Sequence, residues 1–205
     1  MKALGGKGRW WGTAILLLIA LMLIFSLRLR QTGLSSRTSP PALEAFAAEQ
    51  IRHWAVPADA RKLTNPTRTD ADAMEHGRAH WADHCANCHA NNGNGDTEMG
   101  RNLYPRAPDM RGKETQSLSD GELYYIIRNG IPMTGMPAWG DPSLGNRDSE
   151  TWMLVSFIRH LPSLSREEEL AMEKLNPKSE MDRDEEQQEE EFLSGKTHME
   201  DKHDH

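Results

Sequence analysis

The chain has 205 residues, 37% of them apolar and 27% charged, which is leaner in hydrophobics than an ordinary globular protein. Its formal charge of −7 conceals three unlike stretches: residues 1–69 carry ten Lys/Arg against three Asp/Glu, residues 70–162 eight against thirteen, and residues 163–205 six against fifteen. Two cysteines exclude a disulfide-dense scaffold and a four-cysteine zinc site, and no basic stretch interleaved with aromatics points to nucleic acid. Only the 93 residues of the middle stretch look able to bury a core, and a core that small usually needs a staple, a metal or a cofactor.

From Trp10 to Leu27 the chain runs eighteen residues without a charge. As a helix this segment spans about 27 Å, enough for a bilayer core. Trp10 and Trp11 suit an interfacial position, and Lys2, Lys7 and Arg9 precede them. A cleaved signal peptide has the same basic start, but no A-x-A-like site follows and Arg28 and Arg30 come at once, so residues 1–30 read as an N-terminus and a retained anchor. Charge does not orient it, because three Lys/Arg precede the span and Arg28, Arg30 and Arg37 follow.

Residues 31–69 read as a linker and an extended arm. The stretch 31–41, QTGLSSRTSPP, has the composition of an exposed linker. Ala42 to Trp54 can form a short helix with Leu43, Phe46 and Trp54 as its larger apolar groups. Pro57 and Pro66 then favour an extended segment that lies on the folded domain or spaces it from the membrane.

Residues 70–162 form the core domain. Thr69 or Asp70 caps a helix that runs to Cys85, with Met74, Trp81 and Cys85 at helical spacing. Ser119-x-x-Glu122 is a capping box for a second helix, and Asn129-Gly130 supplies its stop. A third helix runs from about Asp148 to His160, carries Trp152, Val155, Phe157 and Ile158, and is stopped by Pro162. Nothing alternates with period two, so the expected class is all-α. Residues 163–205 form an acidic tail. Its front can be helical, but its low hydrophobicity and net charge favour disorder.

Cys85-Ala86-Asn87-Cys88-His89 is the decisive segment, because C-x-x-C-H is the attachment signature of c-type haem. Two thiols three positions apart near a helix end face one side, where they can add to two vinyl groups, and the adjacent His89 presents an imidazole to the iron as proximal ligand. A thioredoxin-like dithiol needs a βαβ context that is absent. A zinc site on Cys85, Cys88 and His89 is one ligand short. A structural disulfide is the third alternative. The second axial ligand must lie elsewhere. Residues 130–139, GIPMTGMPAW, offer two thioethers, Met133 and Met136, on a Gly/Pro-defined loop. Most methionines are core filler, a role that suits Met136 poorly between Gly135 and Pro137.

These motifs together resemble a membrane-anchored, mono-haem class I c-type cytochrome over residues 70–162. Gly77-x-x-x-Trp81-x-x-x-Cys85 is similar to the family's first helix, whose glycine and aromatic pack on the last helix, with Trp152 and Phe157 as the apolar counterparts there. Gly93-x-Gly95 resembles the turn after the haem-binding histidine. Pro108-Asp109-Met110 resembles the family's Pro-x-Leu element, with Met for Leu. The resemblance implies that the Pro108 carbonyl accepts a hydrogen bond from the His89 imidazole, with Pro105 as rival. Gly135-Met136-Pro137-Ala138-Trp139 resembles the axial-methionine loop, which implies Met136 rather than Met133 as second ligand. The implied fold is a small class I cytochrome c around one covalent haem c, after one transmembrane helix and before the acidic tail. The family attaches haem outside the cytoplasm, so the N-terminus is expected in the cytoplasm. The haem domain is then expected on the periplasmic side of a bacterial-type inner membrane, and the basic front partly beside anionic headgroups.

His76, His80 and His84 share one helix face at i, i+4, i+8, where a solvated or partly packed face is expected rather than a metal site. His53 and His160 stand alone. His198, His203 and His205, with Glu200, Asp201 and Asp204, have weak metal-binding character in an otherwise solvated acidic end. The run Glu185–Glu191 either steers a basic redox partner or only solubilises the chain.

The expected function is one-electron transfer rather than enzymatic catalysis. With His89 and Met136 both bound, the iron is six-coordinate and offers no site to a small-molecule substrate. Expected partners are redox proteins in or at the membrane and the bilayer itself. A haem subunit of a larger oxidase, reductase or dehydrogenase is the alternative, ahead of a gas sensor in which Met136 is displaced and of a peroxidase.

Overall fold

The computed structural model describes residues 5–33, 35–178 and 180–194, and the described residues form helices and loops without strands. His198, Glu200, Asp201, His203, Asp204 and His205 lie outside them, as does Lys2. Helix α1 (Gly5–Thr32) contains a 22-residue segment, Trp10–Gln31, of mean hydropathy 2.3, none of it buried. It is long and apolar enough to cross a membrane. Helix α2 (Ala42–Ala55) follows.

The arm after α2 lies on the domain. Val56 is buried. Asn65 Nδ2 donates to the Trp152 carbonyl (3.2 Å) and to Ser156 Oγ (2.9 Å), while Asn65 Oδ1 accepts from the Thr67 amide. The Ser119 hydroxyl donates to the Arg61 carbonyl at 3.1 Å. The arm is thus bonded to the last helix of the core and to the entry of the second.

Asp70 caps α3 (Ala71–His80) by accepting from the amides of Asp72 and Ala73. The helix does not run unbroken to Cys85. It passes into a π-helical turn, Trp81–Cys85, and resumes as α4 (Ala86–His89). Such a bulge inserts a residue into the ladder and re-aims the side chains beyond it. Two short helices then appear that local periodicity is too brief to announce, α5 (Glu98–Asn102) and α6 (Lys113–Gln116). Helix α7 (Asp120–Asn129) opens on the reciprocal Ser119–Glu122 capping box and ends at Gly130, whose φ is +67°. Helix α8 (Ser149–His160) is capped by Asp148.

The core forms where α3 crosses α8. A Cβ on Gly77 would collide with the Met153 carbonyl, so only glycine allows the two backbones to approach this closely. One turn on, Trp81 is buried with its ring 5.7 Å from that of Phe157. The other expected aromatic, Trp152, is buried in the same core and stacks on Tyr124 at 4.0 Å, joining α8 to α7. Arg159 secures the same junction. Its Nε donates to Asp120 Oδ1 at 2.8 Å and its other nitrogens to the carbonyls of Gln116 and Leu118.

The chain stays on the domain past residue 162. Ser165 and Glu168 form a second capping box that starts α9 (Arg166–Glu173), and Met172 is fully buried in the core. The His160 ring meets Glu168 Oε1 at 2.8 Å. Helix α10 (Glu180–Leu193) carries the acidic run. The Ser165 amide, and the His160 ring against the opposing effect of burial, hold the Glu168 carboxyl below its ordinary range. A depressed folded-state pKa contributes stability above the ordinary carboxylate value and loses it as pH falls through the folded value. Acidification below the carboxylate range is therefore expected to release α9 before α8. Hydrogen exchange at the amides of residues 168–173 checks this, and Glu168→Gln should flatten that pH dependence while keeping an amide in the capping position.

Candidate functional site

The site is built around the turn that follows α3. The π-helical turn and α4 place Cys85, Cys88 and His89 on consecutive turns of one short helical stretch. Both cysteines are free thiols. Burial, with Cys88 adding to it, pushes the Cys85 thiol up to about 12, and burial also raises Cys88. Redox-active or zinc-binding cysteines are thiolates with lowered pKa values, so the environment here keeps the thiols neutral. Among the described residues no three His, Cys, Asp or Glu groups are arranged to hold a metal ion.

His89 lies against the indole of Trp81, ring centroids 5.7 Å apart. Burial lowers its imidazole pKa, and the Pro108 carbonyl, the one backbone acceptor acting on the ring, opposes that lowering. Nδ1 is buried, and the Pro108 contact falls short of full hydrogen-bond geometry. Pro105 exerts no such influence on the ring. The backbone after His89 turns sharply. Ala90, Gly93 and Gly95 have φ of +61°, +75° and +71°. The Gly95 amide donates to the His89 carbonyl at 2.9 Å and the Met110 amide to the Gly93 carbonyl at 2.7 Å. That ladder lays the segment 107–110 alongside the turn and brings Pro108 to His89. A side chain at Gly95 would strike the Ala107 carbonyl.

Two side chains support this turn, Trp81 of the first-helix motif and Thr97, which no motif marks. Trp81 Nε1 donates to the Ala90 carbonyl at 3.0 Å. The Thr97 hydroxyl donates toward the Asn87 carbonyl (2.8 Å) and lies 3.2 Å from that of Cys88, satisfying the open end of α4. A Thr three residues before a Gly, at the start of a short helix, is the only local signal for it. An open cleft of about 510 Å³ runs against the same stretch, lined by Asn87, Glu98, Met99, Asn102 and Leu103.

The loop after α7 carries the two methionines. Gly130 turns it in the left-handed region, and a Cβ there would crowd the Met136 carbonyl and Ala138 amide. The Ile131 amide donates to the Met136 carbonyl at 3.1 Å, and the Met136 amide to Thr134 Oγ1 at 3.1 Å. The Trp139 amide returns to the Ile127 carbonyl of α7 at 3.1 Å. Within this frame Met133 takes a φ of +62° and is 99% exposed, while Met136 is half-buried. Gly135 lies against Leu103. The Trp139 ring meets His84 edge-on at 5.4 Å, so the methionine loop touches the turn that leads into Cys85.

Of the three helix-face histidines, His80 and His84 are 4.9 Å apart. Burial pushes His80 below the ordinary imidazole range and neighbouring His84 adds to this, with Glu150 opposing. His53 pairs with Glu122 at 3.5 Å.

The donor set suits a covalent haem: two neutral thiols three residues apart, and beside them a histidine whose Nδ1 is buried beside a carbonyl. Residues 72–158 match the family described as cytochrome C oxidase, cbb3-type, subunit III. No curated protein matches the chain. The all-helical fold, the Cys85–His89 turn and this match together make residues 72–158 a class I c-type cytochrome domain that carries covalently bound haem c.

Proposed function

We propose that the protein is a membrane-tethered one-electron carrier whose haem is held by His89 and Met136. Haem c supplies exchange of one electron between ferric and ferrous iron. Cys85 and Cys88 would hold the macrocycle through thioethers. With haem bound, the Pro108 carbonyl would accept a hydrogen bond from Nδ1–H of His89, which would leave Nε2 for the iron and hold the ring in one orientation. Trp81 and Phe157, both buried behind the His89 ring, would keep water from it. Met136 on the loop after α7 would supply the second ligand, and its soft thioether would favour the ferrous state and so raise the potential. With His89 and Met136 both bound to the iron, no position would be left for a substrate, and the residues around the site would act by positioning and by excluding solvent.

The observation that carries this reading is the contrast between the two methionines: Met136 is half-buried in a loop framed by Gly130, Gly135 and Pro137, and Met133 is fully exposed. Redox titration of the purified holoprotein is expected to give a single wave with a slope of one electron. A slope of two, or steady turnover of a small-molecule oxidant, would overturn it.

In this reading α1 crosses a bacterial-type inner membrane once, and the haem domain stands on the periplasmic side, where partner encounters at the haem edge are brief and small in area. A second reading is favoured by the matched family, which is described as an oxidase subunit. There the same haem domain is the entry module of a larger membrane complex. Recovery of the chain with other membrane subunits in fixed stoichiometry after mild solubilisation separates the two.

A further inference from the structure

Helix α2 has two faces of opposite character. Glu49, Arg52 and His53 are partly buried and Val56, just past its end, is fully buried. Two contacts fix this helix on the cytochrome domain: Tyr104 donates to Glu44 Oε1 at 2.6 Å, and His53 meets Glu122 at 3.5 Å. Leu43, Ala47, Ile51 and Trp54 recur at i, i+4, i+8 and i+11, which stacks them along one side of a helix. Leu43 and Trp54 are 79% and 84% exposed, and Ile51, with Phe46 at the flank, is exposed as well. Four large apolar side chains on fourteen residues therefore face away from the domain.

The position of this stripe in the chain limits what can cover it. Thr32 ends α1 and Ala42 begins α2, leaving nine residues, 33–41. Fully extended they reach about 30 Å. They are not fully extended: the Gly33 amide bonds back to the Leu29 carbonyl, and the Thr38 amide to Ser35. Helix α2 is thus tethered close to the end of the apolar segment Trp10–Gln31. The charge agrees with that location. Between residues 33 and 69 the chain carries Arg37, Arg52, Arg61, Lys62 and Arg68 against Glu44, Glu49 and Asp59, while everything beyond residue 69 is net acidic. An apolar stripe ending in Trp, on a segment of net positive charge beside a membrane anchor, has the makeup of an interfacial helix.

We propose that α2 lies in the membrane surface, with Leu43, Ala47, Ile51 and Trp54 inserted among the lipids, and that its opposite face holds the cytochrome domain at a fixed height and tilt. The domain is then a rigidly mounted group rather than a ball on a flexible string. The proposal rests on α1 anchoring the protein, and the test separates the two.

The holoprotein with Ala47→Cys carries one reactive thiol once Cys85 and Cys88 are bound to haem. It is spin-labelled at that thiol and incorporated at one copy per nanodisc of phosphatidylglycerol and phosphatidylethanolamine. A label at Glu114→Cys, on the exposed surface of α6, is the control. Power saturation should show residue 47 several-fold more accessible to oxygen than to a water-soluble nickel chelate, and residue 114 the reverse. Equal access of the nickel chelate to both positions overturns the proposal. So does protection of residue 47 in native membranes but not in nanodiscs, which would make the covering partner a protein. Failure of the chain to incorporate would instead overturn the anchor reading and the proposal with it. Incorporation with an exposed residue 47 leaves the anchor standing and removes only the interfacial helix.

Discussion

Cys85→Ser combined with Cys88→Ser is expected to give a chain with no haem stain on a denaturing gel and little cooperative structure at 25 °C. The stably buried hydrophobic set of the domain is short, with Trp81, Leu123, Tyr124, Trp152, Leu154, Val155, Phe157, Ile158, Leu161 and Met172 as its main members. A domain of this size has a total stability of only about 5–10 kcal/mol, and burial of the apolar macrocycle of a bound haem would supply a large part of it. Each lost kcal/mol lowers the melting temperature of such a domain by about 4–8 °C. Removing both thioethers should therefore cost tens of degrees, read by far-UV circular dichroism. Either single variant should retain one thioether and an intermediate melting temperature. A double variant that melts like the native protein would show that the protein part folds without its cofactor.

Met136→Ala should have the largest functional effect of any single change outside the attachment motif. In the proposed ligand set the substitution would leave water or a vacancy in place of the thioether, and the preference for ferrous iron would go with it. Axial ligands command a span of about 0.8 V, and losing the methionine should lower the potential by on the order of 0.1–0.3 V. The backbone of the loop is held by the Ile131–Met136 and Trp139–Ile127 hydrogen bonds, which need no methionine side chain, so the variant should fold. Met133→Ala removes a side chain that touches nearly nothing and should leave the potential unchanged. Redox titration of the two variants beside the native protein checks both. A large shift in Met133→Ala would exchange their roles.

Much of the site is legible because its signals are local. C-x-x-C-H fixes two thiols and an imidazole within five residues, and Ser119-x-x-Glu122 and Asp148 announce α7 and α8 by capping chemistry that acts over three positions. What escapes is long-range or masked. Asn65 reaches Trp152 and Ser156 across about ninety residues, and no periodicity in a proline-containing arm foretells that. Met172 sits in a run of glutamates whose charge hides a buried position in α9. The break between α3 and α4 is a one-residue π bulge that leaves the apolar spacing nearly intact. The stacking of Trp152 on Tyr124 joins α8 to α7 across 28 residues of chain. The motif already favours Met136, but the left-handed backbone and full exposure of Met133 are properties of the folded loop rather than of the residue.

The absorption spectrum of the purified holoprotein, oxidised and reduced, with and without carbon monoxide, tests the His89/Met136 carrier most directly. Low-spin iron, a weak far-red iron–methionine band in the oxidised form and a reduced spectrum untouched by the gas are expected. High-spin iron, or ready binding of carbon monoxide, would contradict a saturated ligand set and move the protein toward gas sensing or catalysis.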